Sequence, residues 1–131
     1  MKQSSTRSKA KGPTTGQRGN VAEALACRYL EARGLVLVTR NFRCRLGELD
    51  LVMRDGPQVV FVEVRSRSNR DYGGPIETIT PTKQKRLLRA AAYYLQKTAC
   101  TAPCRFDVVG ITSDNGVDSV EWINNALQAD W

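Results

Sequence analysis

The chain has 131 residues, 41% apolar and 25% charged, a composition typical of a globular protein. It contains no histidine, which excludes Ser-His-Asp and Cys-His triads and every zinc site that needs imidazole. No apolar run approaches the about 18 residues of a membrane span, and the N-terminus has no apolar signal-peptide core. We therefore expect no membrane partner and a cytoplasmic location.

Positive charge is in excess: 20 Lys and Arg residues against 13 Asp and Glu give a formal net charge of +7. Such an excess favours a polyanionic partner, above all nucleic acid, although a solubilising surface is the simpler alternative. Residues 106–131 carry five acids and no base, so the basic character belongs to the rest of the chain.

Residues 1–16 are basic and almost free of apolar side chains, and we expect them to form a disordered arm ahead of a single domain over residues 17–131. A first helix follows, because apolar positions recur every three to four residues from Val21 to Leu30 and Gly34 suits its C-terminal cap. Residues 35–39 predict a short strand, and residues 41–45 a basic connection.

A β-hairpin comes next. Residues 48–53 are predicted to alternate strictly between two faces, one with Glu48, Asp50 and Val52 and the other with Leu49, Leu51 and Met53. Residues 55–57 signal a turn, and residues 59–64 are an apolar, β-branched run. Residues 67–75 read as a loop. Thr80 and Pro81 then suit the start of a second helix, predicted to end near Lys97. Strands over residues 105–111 and 120–123 complete an α/β domain with one mixed sheet, in the order α-β-β-β-α-β-β.

Carboxylates are unexpected in strands, yet this hairpin carries Glu48, Asp50 and Glu63. A four-residue turn over 55–58 would place Asp50 opposite Glu63, and Glu48 opposite Arg65. The β-carbons of directly opposed strand residues lie roughly 4.5 to 5.5 Å apart. Two like unit charges at about that distance repel by about 4 kcal/mol at an effective dielectric constant near 20, so a cation is expected between the two carboxylates. Mg²⁺ or Mn²⁺ suits carboxylate and carbonyl oxygens.

A solvated face is the alternative, with Asp50 and Glu63 each paired to an arginine such as Arg43, Arg45 or Arg65. Glu23, at the flank of the first helix's apolar stripe, is a third candidate acid, although such residues are more often simply solvated. Asp107, beside Arg105, fits a structural ion pair better than chemistry.

Two further groups of side chains carry weaker signals. Lys83, Lys85, Arg86 and Arg89 open the second helix, which suits phosphate binding or a solvated face equally. The four cysteines form no CxxC pair, so reduced thiols are expected rather than a zinc site.

Several motifs together resemble the YraN family of small bacterial proteins over roughly residues 17–127. They are Glu23 in the first helix, Gly47-Glu48-Leu49-Asp50-Leu51, Phe61-Val62-Glu63-Val64-Arg65, Tyr72-Gly73-Gly74, Thr82-Lys83-Gln84 and Arg105-Phe106-Asp107-Val108-Val109. The resemblance implies a restriction-endonuclease-like core and an endonuclease similar to archaeal Holliday-junction resolvases.

Carried onto this chain, the resemblance implies a PD-(D/E)xK metal site. Asp50 matches the first acid and Glu63 the second, Arg65 takes the place of the Lys, and Glu23 matches the helical acid of the resolvases. No Pro precedes Asp50, and Arg65, which stays protonated, cannot take a proton from water. Arg65 can still stabilise a charged transition state.

The resulting hypothesis is a Mg²⁺- or Mn²⁺-dependent endonuclease acting on DNA, with branched or junction DNA as a candidate substrate. Asp50, Glu63, the Val64 carbonyl and Glu23 would bind the metal, and Lys83 could supply the missing amine. The side chains expected to hold the nucleic acid are Arg43, Arg45, Arg67, Arg70, Lys83, Lys85, Arg86 and Arg89.

Two rival hypotheses remain: a nucleic-acid-binding module that keeps the nuclease fold without turnover, and an interaction protein whose basic arm binds an acidic partner. A homodimer is expected by analogy with resolvases, which cut two strands related by symmetry.

Overall fold

The computed structural model describes residues 15–67 and 74–128, which form one five-stranded sheet and two long helices. A short 3₁₀ turn, Ile76–Thr78, precedes the second helix. The elements are α1 (Thr15–Glu31), β1 (Val36–Cys44), β2 (Gly47–Asp55), β3 (Gln58–Arg67), α2 (Pro81–Lys97), β4 (Cys104–Asp114) and β5 (Val117–Leu127).

The strands lie in the order β1-β2-β3-β4-β5. Only the β3–β4 pair is parallel, and α2 forms the crossover between these two strands. The predicted α/β class, mixed sheet and element order are therefore confirmed.

Each face of the sheet is covered by one helix, which explains the apolar side chains on both faces of the central strands. Beneath α1 lies a core cluster that includes Leu51 and Val62. Beneath α2 lies another that includes Val52 and Phe61. Side chains that are neighbours in β2 or β3 thus belong to different cores.

The start of α2 matches its prediction. The Thr80 hydroxyl accepts a hydrogen bond from the Lys83 backbone N–H at 3.1 Å, and Pro81 occupies the first helical position. No helix in the described ranges is long and apolar enough to cross a bilayer. The four cysteines are free thiols, as predicted.

Three predicted boundaries were wrong. Helix α1 begins at Thr15, two residues inside the stretch assigned to the disordered arm, and residues 1–14 lie outside the described part of the chain. Most of the basic connection at 41–45 is strand, because β1 pairs with β2 as far as Cys44 and Gly47. Strand β5 spans Val117–Leu127, since pairing with β4 extends it far beyond its apolar centre.

The predicted hairpin register is confirmed from Asp55↔Gln58 to Leu51↔Val62, but the β2–β3 ladder ends at that pair. Beyond it, β2 continues beside β1 to Gly47, while β3 continues beside β4 to Arg67. The two strands therefore separate, and a gap opens in the sheet where Asp50 and Glu63 lie.

The strict alternation predicted for β2 fails at Asp50. Leu49 packs with Val52 in the cluster beneath α2, whereas Leu51 packs beneath α1 with Met53. Residues 49 and 51 thus face opposite sides of the sheet although they are two positions apart. The strand rotates locally at Asp50, so the Asp50 side chain does not follow the usual alternation of side chains between the two faces of the sheet.

Candidate metal centre

The Asp50 carboxylate points into the gap between β2 and β3. Its Oδ2 accepts a hydrogen bond from the Val64 backbone N–H at 2.9 Å. That N–H has no partner on β2 because the ladder has already ended. The bond anchors Asp50 beside β3 without neutralising its charge.

Glu63 lies on the α2 side of the gap and is only 2% exposed. Its Oε2 is 3.4 Å from Arg65 Nη1 and 3.5 Å from Lys83 Nζ. Burial and the neighbouring Asp50 charge nevertheless raise the pKa of Glu63 to about 8, against the opposing effect of Lys83 and Arg65.

Glu23 reaches the same gap from α1, which covers the other face of the sheet. It is 9% exposed, and its Oε1 is buried without a hydrogen-bond partner. Burial, the charge of Asp50 and a hydrogen bond to Asp50 raise the pKa of Glu23 to about 7. A hydrogen bond from the Asn41 amide and the charge of Arg40 lower the pKa of Glu23 and so offset part of this increase.

Glu23 and Glu63 both lie within electrostatic range of Asp50, whose charge is among the causes that raise the pKa of each. Within residues 15–67 and 74–128, no three Asp, Glu, His or Cys side chains converge tightly enough to form a ready-made metal cage. The donor set still fits a hard divalent cation. It consists of carboxylates, one buried oxygen lacks a partner, and the pKa values of Glu23 and Glu63 are raised first by burial and then by the charge of Asp50.

The alternative hypothesis, in which each acid pairs with an arginine, holds in part for Glu63 and fails for Asp50. Glu63 pairs with Arg65, but no ion pair found in the described chain includes Asp50. Glu48 lies opposite Arg43 and pairs with it at 3.1 Å, so the expected Glu48–Arg65 pairing was wrong. The separation of β2 from β3 is the reason.

Arg65 is held on two sides. Its Nε donates to Thr78 Oγ1 at 2.8 Å and its Nη2 to the Thr78 carbonyl at 3.2 Å, while Nη1 faces Glu63. Thr78 Oγ1 in turn donates to the Pro75 carbonyl at 2.6 Å. The guanidinium is therefore fixed beside the acids by the 3₁₀ turn, a contact that residue spacing cannot reveal.

Among the described residues of α2, Lys83 is the one found in contact with an acid of the site: its Nζ lies 3.5 Å from Glu63 Oε2. Lys85, Arg86 and Arg89 are exposed along α2. The β1–β2 turn packs on this helix so closely that a Cβ at Gly47 would lie 2.9 Å from the Arg86 carbonyl oxygen.

That packing brings the exposed Arg43, near the end of β1, and the exposed Arg45, in the turn, toward the exposed bases of α2. Arg67 ends β3 on the far side of the acids. Arg70, also expected to bind nucleic acid, lies outside the described residues, as do Tyr72 and Gly73 of the family motif.

Asp107 is a fully buried acid of a different kind. Its carboxylate accepts hydrogen bonds from Arg105 Nε at 3.0 Å, Trp122 Nε1 at 2.9 Å and the Asn125 backbone N–H at 2.8 Å. These partners satisfy the charge, so Asp107 has the structural role that its sequence context favours.

Asn41 is the residue that the sequence interpretation missed. It lies in β1 with φ +54°, a left-handed conformation that is uncommon in strands. Its side-chain amide is among the hydrogen-bonding groups that lower the pKa of Glu23. The tolerance of Asn for this conformation was the only hint in the sequence.

Comparison with known proteins identifies relatives along most of the chain. A sequence profile described as uncharacterised protein family UPF0102 matches residues 22–111. A UPF0102 protein of Nitrosococcus oceani is 52% identical over 122 residues, covering 92% of this chain and 98% of that protein. One from Herminiimonas arsenicoxydans is 45% identical, covering 91% and 94%. One from Legionella pneumophila is 44% identical, covering 88% and 98%. The resemblance is thereby confirmed: the chain belongs to the uncharacterised protein family UPF0102, the YraN family.

Proposed function

We propose that this protein is a metal-dependent endonuclease that hydrolyses phosphodiester bonds of DNA. The observation that carries the proposal is the placement of Asp50 between Glu23 and Glu63 at a gap in the sheet. Carboxylates that share a buried site are costly in a purely structural arrangement, and Glu23 and Glu63 are both buried. A divalent ion that binds there offsets this cost.

Asp50 and Glu63 would hold the cation, with Glu23 and the Val64 carbonyl as further oxygen donors. A bound Mg²⁺ or Mn²⁺ supplies Lewis-acid stabilisation of the scissile phosphate and a more acidic water. Arg65, already oriented by Thr78, would place its guanidinium against the developing negative charge. Lys83 contributes a second positive charge on the α2 side of the acids.

DNA would be held by the basic surface formed by the β1–β2 turn and the exposed face of α2. Its exposed bases include Arg43, Arg45, Lys85, Arg86 and Arg89, and Lys83 connects this surface to Glu63. Strand β5 carries the acids Asp118 and Glu121 and no base, so phosphates are repelled from that edge. The resemblance to junction resolvases makes branched DNA the first substrate to test, with a homodimer cutting paired strands.

A catalytically inactive DNA-binding module is the alternative, and Arg65 is the observation that favours it. A guanidinium group has only donors and no acceptor, and this one is tied to Thr78, so it cannot accept a proton from water. Such a protein would keep DNA affinity and the acid cluster while lacking turnover.

The deciding experiment measures Mn²⁺ binding by calorimetry and nicking of a four-way junction and a linear duplex by the full chain. We expect Mn²⁺ binding and Mn²⁺-dependent nicking that Asp50→Asn abolishes while DNA affinity persists. Glu48→Gln, which removes an exposed acid of the same strand, is the matched control and should nick normally.

The other outcomes distinguish the rival hypotheses. DNA binding without nicking at any metal concentration establishes the inactive module. Absent or salt-independent DNA binding points to an interaction protein and overturns both nucleic-acid hypotheses.

A further inference from the structure

Asn41 has a left-handed backbone inside a strand next to the acid cluster. Of the described residues other than glycine, four have positive φ: Asn41, Ala99, Asn115 and Asn125. Asn115 lies in the tight turn between β4 and β5, where such a conformation is ordinary, and Asn125 lies in β5 at the other edge of the sheet. A turn cannot explain Asn41, because β1 continues on both sides of it.

The register shows what lies opposite. Arg40 pairs with Leu51 and Phe42 pairs with Leu49, so Asn41 stands across from Asp50. This is the position where the side chains of β2 change faces. Both strands are therefore distorted at the same place, and the distortion ends with the Asp50 carboxylate in the gap.

The side chain of Asn41 adds a second connection, because a hydrogen bond from its amide is among the causes that lower the pKa of Glu23 against the effect of burial. Glu23 belongs to α1, and Asn41 to an edge strand of the sheet. One residue thus contacts the helical acid through its side chain and lies opposite the strand acid through its backbone.

We propose that Asn41 is a positioning residue of the acid cluster: its left-handed backbone aims Asp50 into the gap, and its amide orients Glu23 toward Asp50. As far as the cation is concerned, this inference rests on the proposed function. The arrangement of the acids is a property of the metal-free protein and can be tested without metal.

The metal-free test follows the side-chain NH₂ resonances of Asn41 by ¹⁵N NMR. We expect them to be displaced from random-coil values and to return toward them in Glu23→Ala, which removes the acceptor. Glu31→Ala removes an exposed acid of the same helix and should leave them unchanged. Asn41 resonances that do not respond to Glu23→Ala would overturn the proposal.

The second test measures Mn²⁺ affinity in variants that separate backbone from side chain. Asn41→Gly keeps a left-handed backbone and removes the amide, and we expect it to weaken Mn²⁺ binding about 10- to 100-fold. Asn41→Ala disfavours the backbone as well and should weaken binding further. Asn115→Gly is the control at an equivalent φ of +53° and should bind Mn²⁺ normally.

The outcomes of the two tests distinguish a failure of the proposed metal site from a failure of the positioning role. If the unaltered protein binds no Mn²⁺, the proposed metal site is wrong, and the NMR result alone decides the positioning role. If it binds Mn²⁺ and both Asn41→Gly and Asn41→Ala bind equally well, the metal site stands and the positioning role is wrong.

Discussion

The Val64 backbone N–H donates to Asp50 Oδ2 at 2.9 Å across the point where β2 leaves β3. A backbone donor that the sheet would otherwise leave unpaired is satisfied by the side chain at the centre of the acid cluster. Asp50 therefore has two separable roles, one in stabilising the gap and one in carrying negative charge.

Asp50→Asn and Asp50→Ala should separate these roles. The amide oxygen of Asn can still accept the Val64 N–H, so we expect Asp50→Asn to change the free energy of unfolding by less than about 1 kcal/mol. Asp50→Ala leaves that N–H without a partner and should cost about 1–3 kcal/mol. Both variants should lose Mn²⁺ binding. Equal unfolding free energies in urea would show that the hydrogen bond contributes nothing.

The stability of the metal-free protein should fall as pH rises. The pKa values of Glu23 and Glu63 lie at about 7 and about 8 in the folded protein, against an ordinary 4.5. Between these limits the folded state binds more protons than the unfolded state, so the free energy of unfolding decreases with pH. Thermal melts in chelator at pH 5 and pH 8 test this.

Two comparisons make the pH experiment specific. Glu63→Gln should flatten the profile because it removes the buried acid with the higher pKa, whereas Glu48→Gln, at an exposed acid, should leave it unchanged. Excess Mg²⁺ at pH 8 should raise the melting temperature, because a ligand of the folded state stabilises it. A melting temperature that rises with pH in chelator contradicts the burial of these charges.

Arg65→Lys restores the residue type of the PD-(D/E)xK motif and should nevertheless reduce nicking. A single ammonium cannot replace the donors that bind Thr78 and Glu63 together, so we expect a loss of about 1–2 kcal/mol in stability as well. Nicking rates on junction DNA provide the measurement. Faster nicking by the Arg65→Lys variant would mean that turnover is limited by the missing base.

Arg86→Ala and Arg89→Ala should weaken DNA binding uniformly across sequences. Each should lower the slope of log affinity against log salt by about 0.9 if it removes one phosphate contact. Arg33→Ala is the matched control, because Arg33 stacks 3.5 Å over the Tyr29 ring and follows α1, on the other face of the sheet. An equal loss in Arg33→Ala would mean that the binding surface has been misplaced.

Asp107→Ala should be the most destabilising of these substitutions and leave the metal site intact. It leaves the Trp122 N–H and the Asn125 N–H unpaired in the interior and removes the partner of Arg105 Nε, while Arg105 Nη1 keeps Asp55 and Gln58, at a cost of about 3–5 kcal/mol. Glu121→Ala, at an exposed acid of β5, should change stability by less than about 0.5 kcal/mol. Lost Mn²⁺ affinity in the folded fraction of Asp107→Ala would contradict a purely structural role.

Local physical chemistry made much of the fold predictable. Thr80 and Pro81 set the start of α2, since a cap and a fixed φ act within one helical turn. The turn at 55–58 set the β2–β3 register, because a short turn leaves adjacent strands only one matching pairing. The same rule predicted Asp50 opposite Glu63, but the β2–β3 pairing ends one pair earlier, at Leu51 and Val62.

Tertiary structure decided how the acids meet. The β2–β3 ladder ends before Asp50, where β2 continues beside β1 and β3 beside β4, and the left-handed Asn41 lies across from Asp50 at that point. The approach of Glu23 from the opposite face and the anchoring of Arg65 by Thr78 join residues far apart in the chain. Such contacts depend on how whole elements pack, and a pattern of residue types along one strand or helix contains no record of them.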